Sequence, residues 1–518
     1  MMGSGALWKH LLLLVSVLAS AVTSQDDIPC LRKVFDQSSF VCSCNADYCD
    51  TLSDPGDVPP TTYVSYSSSA SEARFLKSSG GVDSSPRPDA ILLRVNADYH
   101  YQTMMGFGGA FTDSAGLNIV ALSNATQEKL MSSYFSPSGI EYTLCRTPMA
   151  GSDFSVRPYS YDDIEGDVAL VNFALAEEDW LYKLPLIQWA NSLSQREVKL
   201  FGSPWSPPAW MKTNGKFNES GELLPEMYQP WAEYFVKFVE AYESNGAPIW
   251  GLTTQNEPLS GFDDNWGWNT CGWTAEDMRD WIKTNLGPTL EAAGLRRLKL
   301  MVDDFNRDTL PWYPAKMLED PEAYQYIDGT AVHWYSDRWV GPAVLSELQG
   351  LFPEKFILYT EACEGWDVGG AESVQLGSWS RAENYMMNII DDVNHYSTGW
   401  VDWNMALDMT GGPNWANNLV DAPIIINAEE DEFYKQPTFY AMGHFSKFVV
   451  PGMKRIDIHS PDEQIWASAF VDPDMLKYVY VFVNLKDEIT DVSIELQGHY
   501  INMNIPARSF HTVIYQDH

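Results

Sequence analysis

Eight short apolar runs lie between residues 104 and 404, and each ends in polar or aromatic residues of a functional type. They are MMGFGGAFTD ending at Asp113, GIEYTLCR at Arg146, VKLFGSPW at Trp205, IWGLTTQNE at Glu257, LKLMVDD at Asp304, GTAVHWY at Tyr335, KFILYTE at Glu361 and TGWVDWN at Asn404. Helical stretches separate them. This repeat predicts an α/β chain whose parallel strands close into a (β/α)8 TIM barrel, with every strand C-terminus on one face. A doubly wound open sheet is the competing architecture, and it wants a glycine-rich phosphate turn opening a helix. GFGGAFTD is glycine-rich but lacks that fingerprint.

Local signals fill in the frame. Tyr234, Phe235, Phe238, Val239 and Tyr242 fall at helical spacing, so a helix is expected from Pro230 to Asn245, with Gly246 at its cap. Thr274, with Asp277 three residues on, reads as the start of another. The strand that begins at Ile249 is expected to run to Glu257, because Pro258 cannot donate to a ladder. Residues 51–90 are rich in Ser, Pro, Thr and Gly and read as loops around one edge strand near Tyr63 to Tyr66. Beyond about residue 450 the period changes to strand-like alternation, as in KYVYVFVNL and DVSIELQG, and ILLRV at 91–95 has the same character. The two ends of the chain are therefore expected to build one β-sandwich beside the barrel. At 518 residues the chain is too long for a single ordinary domain.

Lys9 and His10 precede an apolar run from Leu11 to Leu18, followed by small residues up to Ser24. This reads as a secretory signal peptide over residues 1–24, cleaved after Ala21 or Ser24, and the run is too short to span a bilayer. Behind it crowd Cys30, Cys42, Cys44 and Cys49. In an oxidising compartment they read as two short-loop disulfides, with a zinc site as the rival. Cys145, Cys271 and Cys363 are dispersed, and spacing does not pair them. Asn124 and Asn218 open glycan acceptor sequences. The formal net charge is -37. That excludes nucleic acid as a natural partner, since phosphate binding needs a basic footprint. Such a charge repels itself at neutral pH, and an acidic compartment would relieve it.

Glu257 and Glu361 both end apolar runs, and a barrel brings strand ends together. Paired carboxylates there are the equipment of glycoside hydrolysis: one protonates the leaving oxygen and the other attacks the anomeric carbon. Their surroundings set the two pKa values apart. Trp205, Trp334 and Trp403 stand at strand ends, where indole faces suit the C–H faces of a sugar. Each signal has a plain alternative: a glutamate capping a helix, Glu364 in place of Glu361, an indole packed in the core.

Taken together, CSCNADYCD, GFGGAFTD, SPWSPPAWMKTNG, QNEP, AVHWY, TEAC, GGPNW, FYKQP and GHFSKF are more specific. In order and spacing they resemble the glucosylceramidase group of glycoside hydrolase family 30, over essentially the whole chain behind the signal peptide. The resemblance implies a TIM barrel over 101–451, a β-sandwich split between 53–100 and 452–518, and a small disulfide-linked N-terminal β-sheet over 25–52 that takes in part of 405–437. It implies Glu257 as acid/base and Glu361 as nucleophile, with Asp113, Trp205, Asn256, Tyr335, Trp403 and Asn414 lining the glucose subsite. It pairs Cys30 with Cys42 and Cys44 with Cys49. It implies glucosylceramide as substrate, a saposin-type activator protein, an anionic lipid surface and a lysosomal lumen setting, with no metal and no cofactor. Another β-glucoside or β-xyloside, or a catalytically silent sugar- or lipid-binding role, are the competing readings. The loop LSGFDDNWGWNTCGW and the strong acidity depart from the family pattern.

Overall fold

The computed structural model describes residues 27–517. The expected signal peptide over 1–24 lies outside the described residues. Eight parallel strands close into a barrel in chain order: β1 (Gly106–Ala110), β2 (Leu144–Met149), β3 (Lys199–Pro204), β4 (Ile249–Thr253), β5 (Lys299–Asn306), β6 (Gly329–His333), β7 (Phe356–Glu361) and β8 (Ser397–Asn404). β1 pairs with both β8 and β2, which completes the ring. Leu144, Phe201, Met301, Ala331, Leu358 and Val401, one from each of six strands, pack as a buried cluster inside it. The barrel is thus a filled core, and its chemistry is confined to the strand ends.

The helices follow the local signals closely. The one expected from Pro230 spans Tyr228–Ser244 and buries Trp231, Tyr234, Phe235, Phe238, Val239 and Tyr242 on one stripe. Gly246 then takes φ 73°, where a side chain would be strained. The Thr274 side chain accepts from the Asp277 backbone N–H and caps Ala275–Trp281.

The two chain ends interleave in one nine-stranded sheet. Its order is His499–Ile505, Thr490–Leu496, Ile91–Thr103, Lys454–His459, Ile465–Val471, Lys477–Asn484, Ser509–Gln516, Thr62–Ser69 and Leu76–Gly81. One expectation is corrected here. The strand around Tyr63 to Tyr66 is not an edge, because Thr62–Ser69 pairs on both sides. The edge is Leu76–Gly81, whose exposed LKSSGG sequence carries no alternation to reveal it.

A five-stranded sheet joins Arg32–Val34 and Phe40–Cys44 to Glu432–Lys435, Ile424–Asn427 and Ala406–Asp408. Disulfides link Cys30 to Cys42 and Cys44 to Cys49, while Cys145, Cys271 and Cys363 are buried free thiols.

Barrel closure leaves no room at Gly108. A Cβ built there would lie 1.7 Å from the Leu144 carbonyl oxygen on β2. Backbone cannot swing aside as a side chain does. Gly108→Ala should therefore destabilise the protein by more than about 3 kcal/mol, beyond the range of ordinary core overpacking. Thermal melting of the purified variant checks this, and a midpoint within a degree of the parent would contradict it.

Candidate active site

A buried carboxylate, Asp304, organises the strand ends. It sits where β5 bulges: the register with β6 slips between Asp303 and Phe305, and Asp303 and Asp304 take φ 76° and 53°. Bulges of this kind re-aim side chains beside active sites. Asp304 accepts hydrogen bonds from Arg146 of β2 (2.7 Å), Thr253 of β4 (2.7 Å) and Thr360 of β7 (2.7 Å), and meets His333 Nε2 of β6 at 3.0 Å. Burial alone would raise its pKa. The Arg146 charge and the bonds from His333 and Thr253 hold it well below the usual carboxylate range.

Arg146 extends this network to Glu361. The guanidinium is fully buried and donates to Asp304, to Glu361 and to Asn256 Oδ1 (2.9 Å), while its Nε donates to Ser203 (3.0 Å). The Tyr335 hydroxyl donates to the other Glu361 oxygen at 2.8 Å. Two donors are thus aimed at the Glu361 carboxylate.

Glu257 reaches the same place differently. The strand stops at Thr253, four residues before the expected end. The backbone then stays tied to both neighbours, with Asn256 N–H donating to Pro204 O (2.8 Å) and Glu257 N–H to Asp304 O (3.0 Å). Glu257 itself takes φ 47°, a strained conformation for a side chain of this size. Burial, and secondarily the nearby Glu361, raises its pKa, against an opposing pull from His333.

His333 stands between the two glutamates, its Nδ1 3.5 Å from Glu257 Oε1 and 4.0 Å from Glu361 Oε1. Burial works against a charge there, but Glu361, Asp304 and Glu257 together raise its pKa to about 10. One oxygen of each glutamate and a His333 nitrogen lie within 4.8 Å of one another. The inverting geometry needs carboxyls roughly 6.5–9.5 Å apart, and the retaining geometry about 5–5.5 Å. So close an approach of the two carboxylates fits the retaining spacing better than the inverting one.

The glutamates open onto a cavity of about 440 Å³. Of the residues expected there, Trp205, Asn256, Tyr335 and Trp403 line it, with the Trp205 and Trp403 rings stacked 5.0 Å apart. Asp113 and Asn414 are not among its lining residues and have partners of their own. Asp113 opens the helix Asp113–Val120, where its carboxylate accepts from Ser155 (2.6 Å) and Tyr159 (2.9 Å) and pairs with buried Lys183 (3.6 Å). Asn414 folds its own loop, accepting from the Ala416 and Asn418 backbone N–H groups. Asp153 and Asn418 also line the cavity, joined by a 2.9 Å hydrogen bond. Burial, then Glu361, pushes Asp153 up to about 8. Trp266, Trp268, Trp339 and Trp366 form an aromatic mouth that the strand ends did not announce. The first two belong to the loop that departs from the family pattern.

Comparisons agree with the geometry. The model of the glycosyl hydrolase family 30 TIM-barrel domain matches residues 104–449, and that of the family 30 beta sandwich domain matches 452–513. The lysosomal acid glucosylceramidase of Mus musculus is 41% identical over 499 residues, covering 94% of this chain and 96% of its own. Among solved structures, SrfJ from Salmonella typhimurium superposes with a TM-score of 0.81 at 27% identity, over 88% of this chain and all of its own. The endo-beta1,6-glucanase BT3312 does so with a TM-score of 0.79 at 28% identity, over 88% of this chain and 99% of its own.

Two outcomes follow from the buried charges. Asp304→Asn leaves Arg146 and His333 without their shared counter-ion, so it should destabilise by about 3–5 kcal/mol in urea unfolding. Stability should also be higher at pH 5 than at pH 7.5. Asp153 at about 8, and Asp337 and Glu364 at about 7, lie above their unfolded values because burial penalises their charge. A raised carboxyl stabilises the fold at low pH and loses that contribution as pH rises through the folded value, here between pH 5 and 8. His333, also raised, works in the same direction above its unfolded value. Buried neutral His444 and His511, both lowered, work in the opposite direction below about pH 6.5 but are fewer. A higher melting midpoint at pH 7.5 would contradict this balance.

Proposed function

We infer, for a chain that belongs to glycosyl hydrolase family 30, that it is a retaining β-glucosidase hydrolysing glucosylceramide to glucose and ceramide. The observation that carries the reading is one pair of carboxylates, at a spacing that fits retention, in unequal surroundings. Family membership makes the protein a glycoside hydrolase, and its similarity to the mouse lysosomal enzyme over nearly the whole chain supports the substrate.

In this reading Glu361 attacks the anomeric carbon while Arg146 and Tyr335 hold its carboxylate in line. Glu257, its proton retained by burial, protonates the leaving oxygen. Its conjugate base then takes a proton from water as the water displaces Glu361, so the anomeric configuration is retained. Asn256, Trp205, Trp403 and Tyr335 bind the sugar, joined by Asp153 and Asn418. The aromatic mouth receives the aglycone, and Trp339, 69% exposed, supports contact with lipid.

The enzyme works in the lysosomal lumen, peripherally at an anionic lipid surface and with a saposin-type activator. No helix among the described residues is long and apolar enough to cross a membrane. Glycans are carried at Asn124, an exposed residue at the start of a capped helix, and at Asn218. The substrate is tested by rates on glucosylceramide, other β-glucosides and an aryl β-xyloside at pH 5, with and without anionic lipid. Faster turnover of the xyloside than of the lipid glucoside would overturn the assignment.

The two glutamates should fail in different ways. Glu257→Gln should slow substrates with poor leaving groups by roughly 10²–10⁴-fold. An activated phenyl glucoside should still form the glycosyl-enzyme, and azide should speed its breakdown to a β-glycosyl azide. Glu361→Gln should abolish turnover with every leaving group. Peptide mass spectrometry after a slow fluorosugar should find the label on Glu361, and a label on Glu364 would refute the mechanism.

A further inference from the structure

Four lysines are buried among the described residues: Lys183, Lys212, Lys435 and Lys447. A buried charge is tolerated only where it is paired or well hydrogen-bonded. Three of the four meet a carboxylate: Lys183 meets Asp179 (2.8 Å), Lys435 meets Asp50 (3.0 Å) and Lys447 meets Glu141 (2.7 Å). Lys212 is held differently. Its Nζ donates to two backbone carbonyl oxygens, Phe217 O (3.0 Å) and Thr270 O (2.6 Å). Burial lowers its pKa to about 8, so the ammonium keeps its charge at pH 5. In a chain with 70 acidic residues, a buried ammonium bonded to carbonyls alone points to the segments that it joins.

The two carbonyls belong to different loops. Phe217 lies in a loop closed by a backbone bridge between Lys212 and Leu223. Thr270 lies in the loop from Gly261 to Gly272, which carries Trp266 and Trp268 of the cavity mouth. The stems of the loops are stitched together. Gly221 N–H donates to Gly261 O (2.9 Å), Gly272 N–H to Gly221 O (2.8 Å) and Glu219 N–H to Trp266 O (3.1 Å). Thr270 N–H donates to Phe217 O (2.9 Å), the same oxygen that Lys212 holds. The stem of the second loop is tight, since a Cβ on Gly261 would lie 1.9 Å from Gly272 N. Its tip is not: residues 262–265 and 267 are exposed. Asn269 Nδ2 adds one bond beyond the pair of loops, to Gly151 O (3.2 Å). The Trp266 and Trp268 rings, 4.5 Å apart, therefore take their position from the stem, where the Lys212 side chain bonds to both loops at once.

We propose that Lys212 is a positioning residue for aglycone specificity: its ammonium clasps the Phe217 loop to the loop from Gly261 to Gly272 and so sets Trp266 and Trp268 where the aglycone leaves the cavity. The proposal rests on the mouth receiving the aglycone, as inferred above, and adds what fixes its shape. Lys212 does not line the cavity, so it acts through the loop. Glu257, Glu361 and the sugar-binding residues Trp205, Asn256, Tyr335, Trp403, Asp153 and Asn418 all lie outside both loops. Loss of the clasp should therefore separate recognition of the aglycone from recognition of glucose and from the chemistry.

Lys212→Met, which keeps the length of the side chain and removes its charge and donors, tests this at pH 5 in the full chain. The KM for octyl β-glucoside should rise at least fivefold while kcat stays within twofold. The Ki of glucose, which fills the sugar subsite alone, should also stay within twofold. Lys212→Gln, which keeps a neutral donor, should raise the KM by a smaller factor, at least twofold, and it carries the test if Lys212→Met does not fold. Hydrogen exchange followed by mass spectrometry adds a readout that needs no turnover: the segment 261–272 should exchange at least fivefold faster in the variant, and the barrel strands should not. An unchanged KM, a fall in kcat alone, a glucose Ki that rises in step with the KM, or unchanged exchange in 261–272 would each overturn the proposal. Activity of the parent on glucosylceramide is scored separately. If that is absent while octyl β-glucoside is cleaved, the substrate assignment fails and the clasp is still decided by the KM and the exchange.

Discussion

A carboxylate and a guanidinium, neither with any exposed side-chain surface, meet at 2.7 Å at the C-terminal face of the barrel. Burying either charge alone would be prohibitive, so each requires the other, and both require further hydrogen bonds. Asp304 draws partners from four strands and Arg146 passes the arrangement on to Glu361 and Asn256. Replacing the pair by apolar residues could give an equally stable barrel. It could not hold two glutamates and a histidine within 4.8 Å of one another.

The backbone bends to meet that requirement. Glu257, Asp303 and Asp304 all take positive φ without being glycine, and β5, β7 and β8 each show register irregularities toward the site. Strain of this kind persists only where surrounding contacts over-determine it. It also marks the limit of reading the sequence. The apolar runs located all eight strands, because strand burial follows directly from composition and period. They located the strand ends at Glu361 and Asn404 but missed others, such as those before Glu257 and Asp113, because bulges and turns are fixed by hydrogen bonds to neighbouring strands. IWGLTTQNE reads as one strand, yet its last four residues form a turn tied to β3 and β5.

The same distinction separates the site residues that were legible from those that were not. Trp205, Asn256, Tyr335 and Trp403 stand at or just past strand ends, and motif position sufficed for them. Asp113 follows a strand in the sequence but begins a helix, where Lys183, Ser155 and Tyr159 hold its carboxylate. Asp153 and Asn418 come from loops that meet only in the folded chain, 265 residues apart, and neither lies in an apolar run. Arg146, Asp304 and His333 were visible as strand-end residues, but their mutual pairing was not. The tryptophans of the mouth lie on loops, where no periodicity places them.

The interleaved nine-stranded sheet bears on how the protein is made. Its strands Thr62–Ser69, Leu76–Gly81 and Ile91–Thr103 leave the ribosome first, but Ile91–Thr103 finds its partner Lys454–His459 only after the whole barrel has been synthesised. At roughly 5–20 residues per second that interval is on the order of 20–70 s. Thr62–Ser69 waits longer still. It joins the rest of the sheet through Ser509–Gln516, which is translated after Lys454–His459. For that time the nascent chain carries unpaired strand edges, which are templates for association with other chains. The sheet beside the barrel is thus a hazard of association during its own synthesis, set by the separation of its strands along the chain.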